Sequence, residues 1–363
     1  MSTIFLTGAS GYIGGDLLDQ LTKAHPELTL RVLVRDLNQI DTIRHLYHDV
    51  TIVQGSLDDT ELITEEANNA DIVLNLAAYN HLGSAQAIHH ALVERQNKGK
   101  PAYWIQVSGA SALAAAELED PSRIPGSAND TVWDDYEGID ALRSHLEKHP
   151  QRRVVDNYVL SLARDSPQVK AAIVYPPLVY GRGRGPINQR SIQLPGLAKL
   201  TLERGRGVQV GSGLNRWGAA HIGDISQLIV RLVEKAVARV DDGQLWGSNG
   251  LYLAGVTELV SRPGRTYAEL LADGCQTFQE LSQRVVAAAS ALGLVRNSTI
   301  DEITAEEADD LLPWGGTLFG TNARGAGRRA RELLGWKPAR GDIEEEIIRT
   351  VGLEARQLDL TRG

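Results

Sequence analysis

The stretch Ser2-Thr-Ile-Phe-Leu-Thr-Gly-Ala-Ser-Gly-Tyr-Ile-Gly-Gly-Asp16 decides the fold of this chain. Residues 3–6 form an apolar run that suits a buried parallel strand, and residues 16–21 continue at the period of a helix. Between them, three glycines at three-residue spacing predict a turn. Because the helix then begins directly after the turn, its unpaired N–H groups and its dipole offer a binding place for an anion. We therefore predict that this turn binds the pyrophosphate of a dinucleotide.

Glycine is needed in such a turn because a side chain would block the close approach of a phosphate. The turn can also require a positive φ angle, which glycine adopts without strain. The residues predicted to contact the cofactor here are Gly8, Ser10, Gly11, Tyr12, Ile13 and Gly14.

Further apolar runs follow at regular intervals along the chain. They lie at residues 28–34, 49–54, 70–78, 103–107 and 171–175, and helical stretches such as 85–94 and 154–163 separate them. Strands that alternate with helices predict an α/β fold with a doubly wound parallel sheet, in which ligands bind at the C-terminal strand ends.

The end of the second predicted strand indicates the type of nucleotide. An acidic residue there would bind a ribose 2′-hydroxyl, but this chain has Val34 followed by Arg35. Because an arginine can pair bidentately with a 2′-phosphate, NADP(H) is preferred and NAD(H) is the alternative. The other interpretation is that Arg35 is a solvated residue paired with Asp36.

The composition excludes several classes of function. The chain has 363 residues and a formal net charge of −9, which argues against nucleic acid as a partner. Cys275 is the single cysteine, so no intrachain disulfide can form, and no apolar run reaches membrane-spanning length. The histidines and acids show no metal-ligand spacing. We expect a cytoplasmic protein that acts on a small molecule, without a metal or a membrane partner.

The domain organisation is predicted from a change in composition at the glycine-rich loop 181–188. Residues 1–185 are predicted to form the dinucleotide-binding domain, to which an amphipathic helix within residues 222–249 returns. Residues 186–221 and 250–345 are predicted to form a smaller substrate lobe, with helices at 270–294 and 323–334. Residues 346–363 are predicted to be a C-terminal tail.

Several motifs resemble one known family. They are Thr7-Gly-Ala-Ser-Gly-Tyr-Ile-Gly14, Pro177-Leu-Val-Tyr-Gly181, Trp217-Gly-Ala-Ala-His-Ile-Gly-Asp224 and Leu334-Gly-Trp-Lys-Pro338. Together they resemble the extended and atypical short-chain dehydrogenase/reductases, which include epimerase/dehydratase-like and NmrA-like proteins and have a Rossmann fold.

The resemblance implies further contacts with the cofactor. Ser56 and Leu57 would touch the adenine, and Ala77 and Ala78 would flank the pyrophosphate and ribose. The residues Pro177, Leu178 and Val179 would form a wall beside the nicotinamide. The family also implies a homodimer through helices 85–94 and 154–163.

The proton-transfer pair of that family is missing. Its chemistry uses a tyrosine and a lysine four residues later on one helix, with a serine or threonine opposite. None of the ten tyrosines here has a lysine four positions on. Ser108 is a candidate to bind the substrate oxygen. Tyr136 could reach the nicotinamide from a loop, although a surface tyrosine is the simpler interpretation. Arg152 could orient the nicotinamide ribose, but a guanidinium is not a tunable acid.

Candidate substrate contacts follow from the family pattern, and they are Ser111, Asn188, Arg190, Asn215, Trp217 and His221. A lone histidine such as His221 is more often structural than catalytic. The resulting hypothesis is an NADP(H)-dependent oxidoreductase that acts on a carbonyl or hydroxyl group with a nonstandard proton donor. A nonredox isomerase, cyclase or lyase of the same fold remains an alternative, as does a redox sensor that binds NADP(H) without turnover.

Overall fold

The computed structural model describes residues 2–255, 277–339 and 342–360. The strands are β1 (Thr3–Thr7), β2 (Thr29–Val34), β3 (Thr51–Gln54), β4 (Ile72–Asn75), β5 (Tyr103–Val107), β6 (Trp133–Asp134), β7 (Lys170–Tyr175), β8 (Leu178–Tyr180), β9 (Gly207–Val210), β10 (Ala219–His221), β11 (Leu251–Leu253), β12 (Ile300–Ile303) and β13 (Gly325–Ala326).

Helices follow most of these strands. They are α1 (Tyr12–Ala24), α2 (Leu37–Leu46), α3 (Thr60–Asn69), α4 (Leu82–Asn97), α5 (Ala115–Glu119), α6 (Ile139–Lys148), α7 (Val154–Asp165), α8 (Gln193–Arg204), α9 (Ile222–Val237), α10 (Phe278–Ala291), α11 (Ala305–Leu311), α12 (Gly315–Gly320), α13 (Arg329–Leu334) and α14 (Ile343–Gln357). Short 3₁₀ turns lie at Ala110–Ala114, Pro150–Arg152 and Gly247–Asn249.

A parallel sheet of seven strands in the order β11-β7-β5-β4-β1-β2-β3 forms the centre of the molecule. The chain winds away from β1 in both directions, through β2 on one side and β4 on the other. The C-terminal end of β1 is therefore the switch point at which such sheets bind ligands. The predicted doubly wound parallel sheet is confirmed.

The sheet is buried on both faces because successive side chains of a strand point to opposite sides. In β1, Ile4 and Leu6 join the core under α1 and α9, and Phe5 joins the core under α3, α4 and α7. The strands therefore read as continuous apolar runs, as in other sheets that helices cover on both faces.

A third apolar core belongs to the smaller lobe. It brings together Leu197 of α8, Val208 of β9, Val285 of α10 and Val351 of α14. Because this core is separate from the two that flank the sheet, the cleft between lobe and sheet is a place where a ligand can enter.

The lobe boundaries differ from the sequence-based division in two places. Residues 251–253 form β11, which pairs with β7 as the last strand of the main sheet. Trp336, just after α13, is buried in the core beneath α9, and its indole N–H donates to the carbonyl of Asp224 at 2.9 Å. A three-residue strand and a six-residue helix are too short to show a hydrophobic period, so neither contact could be predicted from periodicity.

The predicted C-terminal tail also differs. Residues 343–357 form α14, and its Ile343, Ile347, Val351 and Ala355 are buried in the core of the smaller lobe. A boundary at residue 346 therefore falls within the first turn of this helix.

The two predicted helices of the smaller lobe are shorter in the structure. The helix predicted at 270–294 is described as α10 over Phe278–Ala291, while residues 270–276, including Cys275, lie outside the described residues. The helix predicted at 323–334 begins only at Arg329, because residues 325–326 pair with β6 instead. No helix in the described part of the chain is long and apolar enough to cross a membrane.

Candidate functional site

The glycine turn after β1 has the geometry of a phosphate cradle. Gly8 has a φ of +81°, and a Cβ atom there would lie 2.7 Å from the carbonyl carbon of Leu76. A Cβ at Gly14 would lie 2.1 Å from the Gly8 oxygen. Gly11, the N-cap of α1, provides no side chain to cap the helix, so the first amides of α1 are available to a ligand.

The neighbouring strand ends close around this turn. Thr7 Oγ1 accepts hydrogen bonds from the amides of Leu76 at 3.2 Å and Ala77 at 3.3 Å, which holds the chain after β4 against the turn. Ala77 and Ala78 carry small side chains there. Ser56 and Leu57 follow β3 at the same edge of the sheet, and both are half-buried. The pyrophosphate cradle and the predicted adenine contacts therefore lie along one edge.

Arg35 lies at this edge as well. Leu6 of β1 pairs with Val32 of β2, so the residues after Val34 lie level with the glycine turn. Arg35 is exposed, and its side chain forms no hydrogen bond or ion pair within the described ranges. Asp36 instead caps α2 by accepting the amide of Asn38 at 2.9 Å. The guanidinium is therefore available to a phosphate.

A cavity of about 620 Å³ opens between the sheet edge and the smaller lobe. Tyr12 and Ile13 of α1 line it, so it begins at the glycine turn. Its other walls are Tyr79, Ser108, Gly109, Ala110, Ser111, Arg153, Pro176, Pro177, Val179, Ser191, Ile192, Gln193, Trp217, Leu312, Pro313, Trp314, Thr317 and Leu318.

Ser108 and Asp156 form a hydrogen-bonded pair at the wall of this cavity. Ser108 follows β5, and its hydroxyl donates to Asp156 Oδ2 at 2.7 Å. Asp156 lies in the first turn of α7 and is fully buried, and its Oδ1 has no hydrogen-bond partner among the described residues. Burial raises the pKa of Asp156 to about 6, although Arg153 and the Ser108 hydroxyl favour its ionised form. A carboxyl group in this state can take up or release a proton near neutral pH.

Tyr175 lies behind this pair at the end of β7. Its buried hydroxyl faces the Asp156 carboxyl, although the two groups do not have the geometry of an ordinary hydrogen bond. Burial and the neighbouring Asp156 raise the pKa of Tyr175 well above its ordinary value, so the phenol stays protonated.

Arg153 is the residue just before α7, and its side chain lines the cavity. The residue is 6% exposed, its Nη2 donates to Ser111 Oγ, and the guanidinium carbon lies 4.7 Å from the ring centre of Tyr79. Arg153 forms no ion pair with any carboxylate of the described residues. The Asp156 carboxyl attracts Arg153 but forms no direct ion pair with it, so the guanidinium keeps N–H donors for a negatively charged group.

Two predicted catalytic residues lie outside the cavity. Tyr136 packs against the guanidinium groups of Arg328 and Arg329, at 5.7 and 5.9 Å from its ring centre. Arg152 is exposed and donates to the carbonyl of Leu118 at 2.8 Å. The 3₁₀ turn Pro150–Arg152 directs Arg152 outward, and the following residue points into the cavity. Of the two neighbouring arginines, Arg153 and not Arg152 therefore lines the cavity.

Three other predicted contacts also lie away from the cavity. The side chain of Leu178 is buried in the core of the smaller lobe, because residues along a strand alternate and Pro177 and Val179 face the cavity. Asn188 and Arg190 line a second cavity of about 500 Å³. There, Arg190 pairs with Glu354 at 2.7 and 3.0 Å, which neutralises its charge.

Asn215 and His221 both form hydrogen bonds with the backbone. Asn215 is completely buried and donates to the carbonyls of Phe319 and Thr321. His221 is the N-cap of α9, where its Nδ1 accepts the amide of Gly223 at 3.1 Å. Ser111 and Trp217 are thus the two predicted substrate residues that line the first cavity.

The residues that the sequence analysis missed are Tyr79, Arg153, Asp156 and Trp314. Arg153 and Asp156 are three positions apart at the start of a helix, a spacing that places both on one face. That spacing, together with Ser108 after a buried strand, was the available signal for the pair. Within the ranges described, no group of three or more His, Cys, Asp or Glu side chains could hold a metal ion.

The comparisons with known proteins agree with this architecture. The model of the NmrA-like family matches residues 1–95. A protein named oxidase ucsJ, from Acremonium sp., is 33% identical over 364 residues, which cover 99% of this chain and 99% of that protein.

Two solved structures share the fold over nearly the whole chain. The dTDP-glucose 4,6-dehydratase of Bacillus anthracis, in complex with NAD, has a TM-score of 0.61 and 17% identity and covers 99% of this chain and 98% of its own. DesIV, a dTDP-glucose 4,6-dehydratase from Streptomyces venezuelae with NAD and TYD bound, has a TM-score of 0.62 and 15% identity, with coverages of 98% and 97%. With the glycine turn, the sheet order and the full-length relative in agreement, this chain belongs to the extended and atypical short-chain dehydrogenase/reductases, the NAD(P)-binding Rossmann family with epimerase/dehydratase-like and NmrA-like members.

Proposed function

We propose that this protein is an NADP(H)-dependent oxidoreductase that acts on a carbonyl or hydroxyl group of a small organic molecule. The observation that carries the proposal is the Ser108–Asp156 hydrogen bond at the wall of a cavity that begins at the glycine turn. The name oxidase of the full-length relative supports a redox reaction. The NAD in the related structures supports a nicotinamide cofactor.

The residues present fit such a cofactor. The amides at the start of α1 and the cradle at Gly8 would hold the pyrophosphate. Arg35, which has no partner in the described residues, would pair with a 2′-phosphate and so favour NADP(H) over NAD(H). Pro177 and Val179 would lie beside the nicotinamide, as the family resemblance implies. Bound there, NADP(H) supplies or accepts a hydride.

Ser108 and Asp156 take the place of the missing tyrosine and lysine in this proposal. In the oxidation direction, the substrate hydroxyl passes its proton to Ser108 Oγ while the Ser108 proton moves to Asp156 Oδ2. The carbon loses its hydrogen with the electron pair, and a carbonyl group results. In the reduction direction, the protonated Asp156 returns the proton through Ser108 to the carbonyl oxygen.

The first test measures cofactor binding by calorimetry and NADPH oxidation by nicotinamide absorbance with a panel of ketones and aldehydes. Gly11→Asp should abolish both, since it introduces a carboxylate into the anion cradle. Gly243→Asp is the matched control, because it adds the same charge at an exposed glycine with open space around it. A wild-type protein that binds neither reduced nor oxidised cofactor would refute the proposal. Tight binding without turnover of any substrate would favour the regulatory alternative.

The second test addresses the choice of cofactor. Arg35→Gln should weaken NADPH binding by about tenfold or more, the worth of a charge-assisted hydrogen bond, and should leave NADH binding unchanged. Arg44→Gln, an exposed arginine of α2 that is paired with Asp41, is the control for net charge. Equal losses for NADPH and NADH would show that Arg35 does not contact a 2′-phosphate.

A further inference from the structure

We propose that the substrate is a hydrophobic ring compound with an anionic oxygen group, a carboxylate or an enolate, and that Arg153 pairs with this group. The inference rests on the proposed function, because it names the molecule that the Ser108–Asp156 pair would oxidise or reduce. It makes Arg153 a specificity-determining residue and assigns the apolar walls to the ring system.

The apolar walls come mainly from the smaller lobe. Leu312, Trp314 and Leu318 of the segment around α11 and α12 face Trp217 and Ile192 across the cavity. Trp314 is 68% exposed and Ile192 is 62% exposed, so both present apolar surface to solvent at the same cavity. A ring system bound between them would remove this surface from water, which is the main favourable contribution to such binding.

The conformation of Trp314 supports a role in binding. It has a φ of +64°, a left-handed conformation that non-glycine residues adopt rarely and often at ligand sites. Its carbonyl accepts the amides of Thr317 and Leu318 at 3.0 and 2.8 Å, so the start of α12 holds this conformation in place. The indole is thereby presented at the cavity mouth instead of being buried in the lobe.

The positive charge of the cavity wall comes from one side chain. Arg153 is the one charged residue among the described residues that line the cavity, and it is more than nine-tenths buried. Its bond to Ser111 and its contact with Tyr79 fix the guanidinium, and the nearby Asp156 carboxyl offsets its charge only in part because the two form no direct ion pair. Asp156, the nearest carboxyl group in the sequence, is bonded to Ser108. A substrate anion would therefore give this guanidinium the direct ion pair that Asp156 does not supply.

The same observations argue against a sugar nucleotide as substrate. A nucleoside diphosphate carries at least two negative charges, and its recognition takes several cations or backbone donors. The described cavity walls offer a single arginine and no lysine. The related dehydratases act on dTDP-glucose by name, so this chain would differ from them in substrate class.

The test compares three probes on the protein saturated with NADP⁺. Naphthoate has the ring and the anion, acetonaphthone has the ring and a neutral carbonyl, and UDP-glucose represents the sugar nucleotides. Binding is followed by quenching of tryptophan fluorescence and by calorimetry. We expect naphthoate to bind more tightly than acetonaphthone, and UDP-glucose to bind more weakly than either.

Substitutions then separate the two contributions. Arg153→Gln should weaken naphthoate binding by about tenfold or more and acetonaphthone binding by less than about threefold. Arg152→Gln, at the exposed neighbouring arginine, should change neither. Trp314→Ala should weaken both probes to a similar degree, because it removes ring contacts only. If Arg153→Gln fails to fold by circular dichroism, Arg153→Lys keeps the charge and should retain a preference for naphthoate.

Tighter binding of UDP-glucose than of naphthoate would overturn the inference, and so would an Arg153→Gln variant with unchanged naphthoate affinity. The proposed function fails in a different way. Suppose that Arg153→Gln removes the preference for naphthoate over acetonaphthone, but that the wild-type protein reduces no carbonyl compound. The inference about the ligand of the cavity is then supported, and the oxidoreductase proposal is refuted.

Discussion

At the scale of single residues, Asp156 determines how activity and stability are expected to depend on pH. Three groups face its carboxyl: the Ser108 hydroxyl from the end of β5, Arg153 from the start of α7 and the Tyr175 hydroxyl from β7. Arginine stays charged at ordinary pH, and burial keeps the Tyr175 phenol protonated. Asp156, with a pKa of about 6, is thus the member of this group that titrates near neutral pH.

Activity should therefore follow the ionisation of Asp156. The oxidation rate should rise with pH through about 6, because only the carboxylate can accept the proton, and the reduction rate should fall over the same range. Asp156→Asn should remove this step and lower kcat by about 10²–10⁴. Asp165→Asn, near the exposed end of the same helix, is the control. A pH step that persists in Asp156→Asn would assign the proton to another group.

The same group predicts a change in stability. The pKa of Asp156 is higher in the folded protein than its ordinary value of 3.8, so the folded state binds more protons between about pH 4 and 6. The wild-type free energy of unfolding should fall as pH rises through this range. Asp156→Asn should lack this fall, so its Tm relative to wild type should be higher at pH 8 than at pH 5. Thermal unfolding at the two pH values measures the difference.

Some site residues could be predicted from the sequence and others could not. The glycine cradle could be predicted because its spacing reflects a local turn, and Gly8 has the positive φ that glycine permits. Arg153 could not be separated from Arg152, because a 3₁₀ turn of three residues sets which of them points inward. Ser108 and Asp156 are 48 positions apart, and their contact depends on how α7 packs on the sheet.

Strands and helices could be predicted where their apolar pattern extends over enough residues to be recognised. The six earlier strands of the main sheet were apparent as apolar runs, since both faces of the sheet are buried. The seventh, β11, has three residues, and its position depends on a side chain more than a hundred residues away. Asp135 Oδ2 accepts the amide of Leu253 at 2.8 Å, while Oδ1 accepts the amides of Arg328 and Arg329 at 2.8 and 2.9 Å.

Asp135 should therefore stabilise the contact between the edge strand β11 and the start of α13. Asp135→Asn keeps one acceptor oxygen and replaces the other with an N–H₂ group, which cannot accept. We expect a loss of about 1–3 kcal/mol in the free energy of unfolding, the cost of leaving buried donors unpaired. Asp310→Asn, at an exposed position after β12, is the matched control. Denaturant unfolding measures both, and equal stabilities would contradict the role assigned to Asp135.

At the scale of the whole molecule, the cavity lies where the two lobes meet. Ser108 and Arg153 come from the sheet side, and Trp314 and Ile192 come from the smaller lobe, so a bound ring compound touches both. The sequence predicted several residues of this cavity, among them Ser108, Ser111 and Trp217, but not Arg153 or Trp314, because packing between residues far apart in the chain brings the walls together. The glycine cradle, in contrast, lies within the sheet domain.

Cofactor and substrate should therefore stabilise the protein in separable increments. A ligand at a hundred times its Kd stabilises the folded state by about 2.7 kcal/mol, which raises Tm by several degrees. NADPH should produce such a shift through the sheet domain, and naphthoate should add a second shift by holding the two lobes together. Trp314→Ala should reduce the naphthoate shift and keep the NADPH shift, whereas Gly11→Asp should abolish the NADPH shift. A naphthoate shift that survives Trp314→Ala intact would show that Trp314 does not contact the bound ring, and it would contradict the role proposed for this side chain in holding the two lobes together.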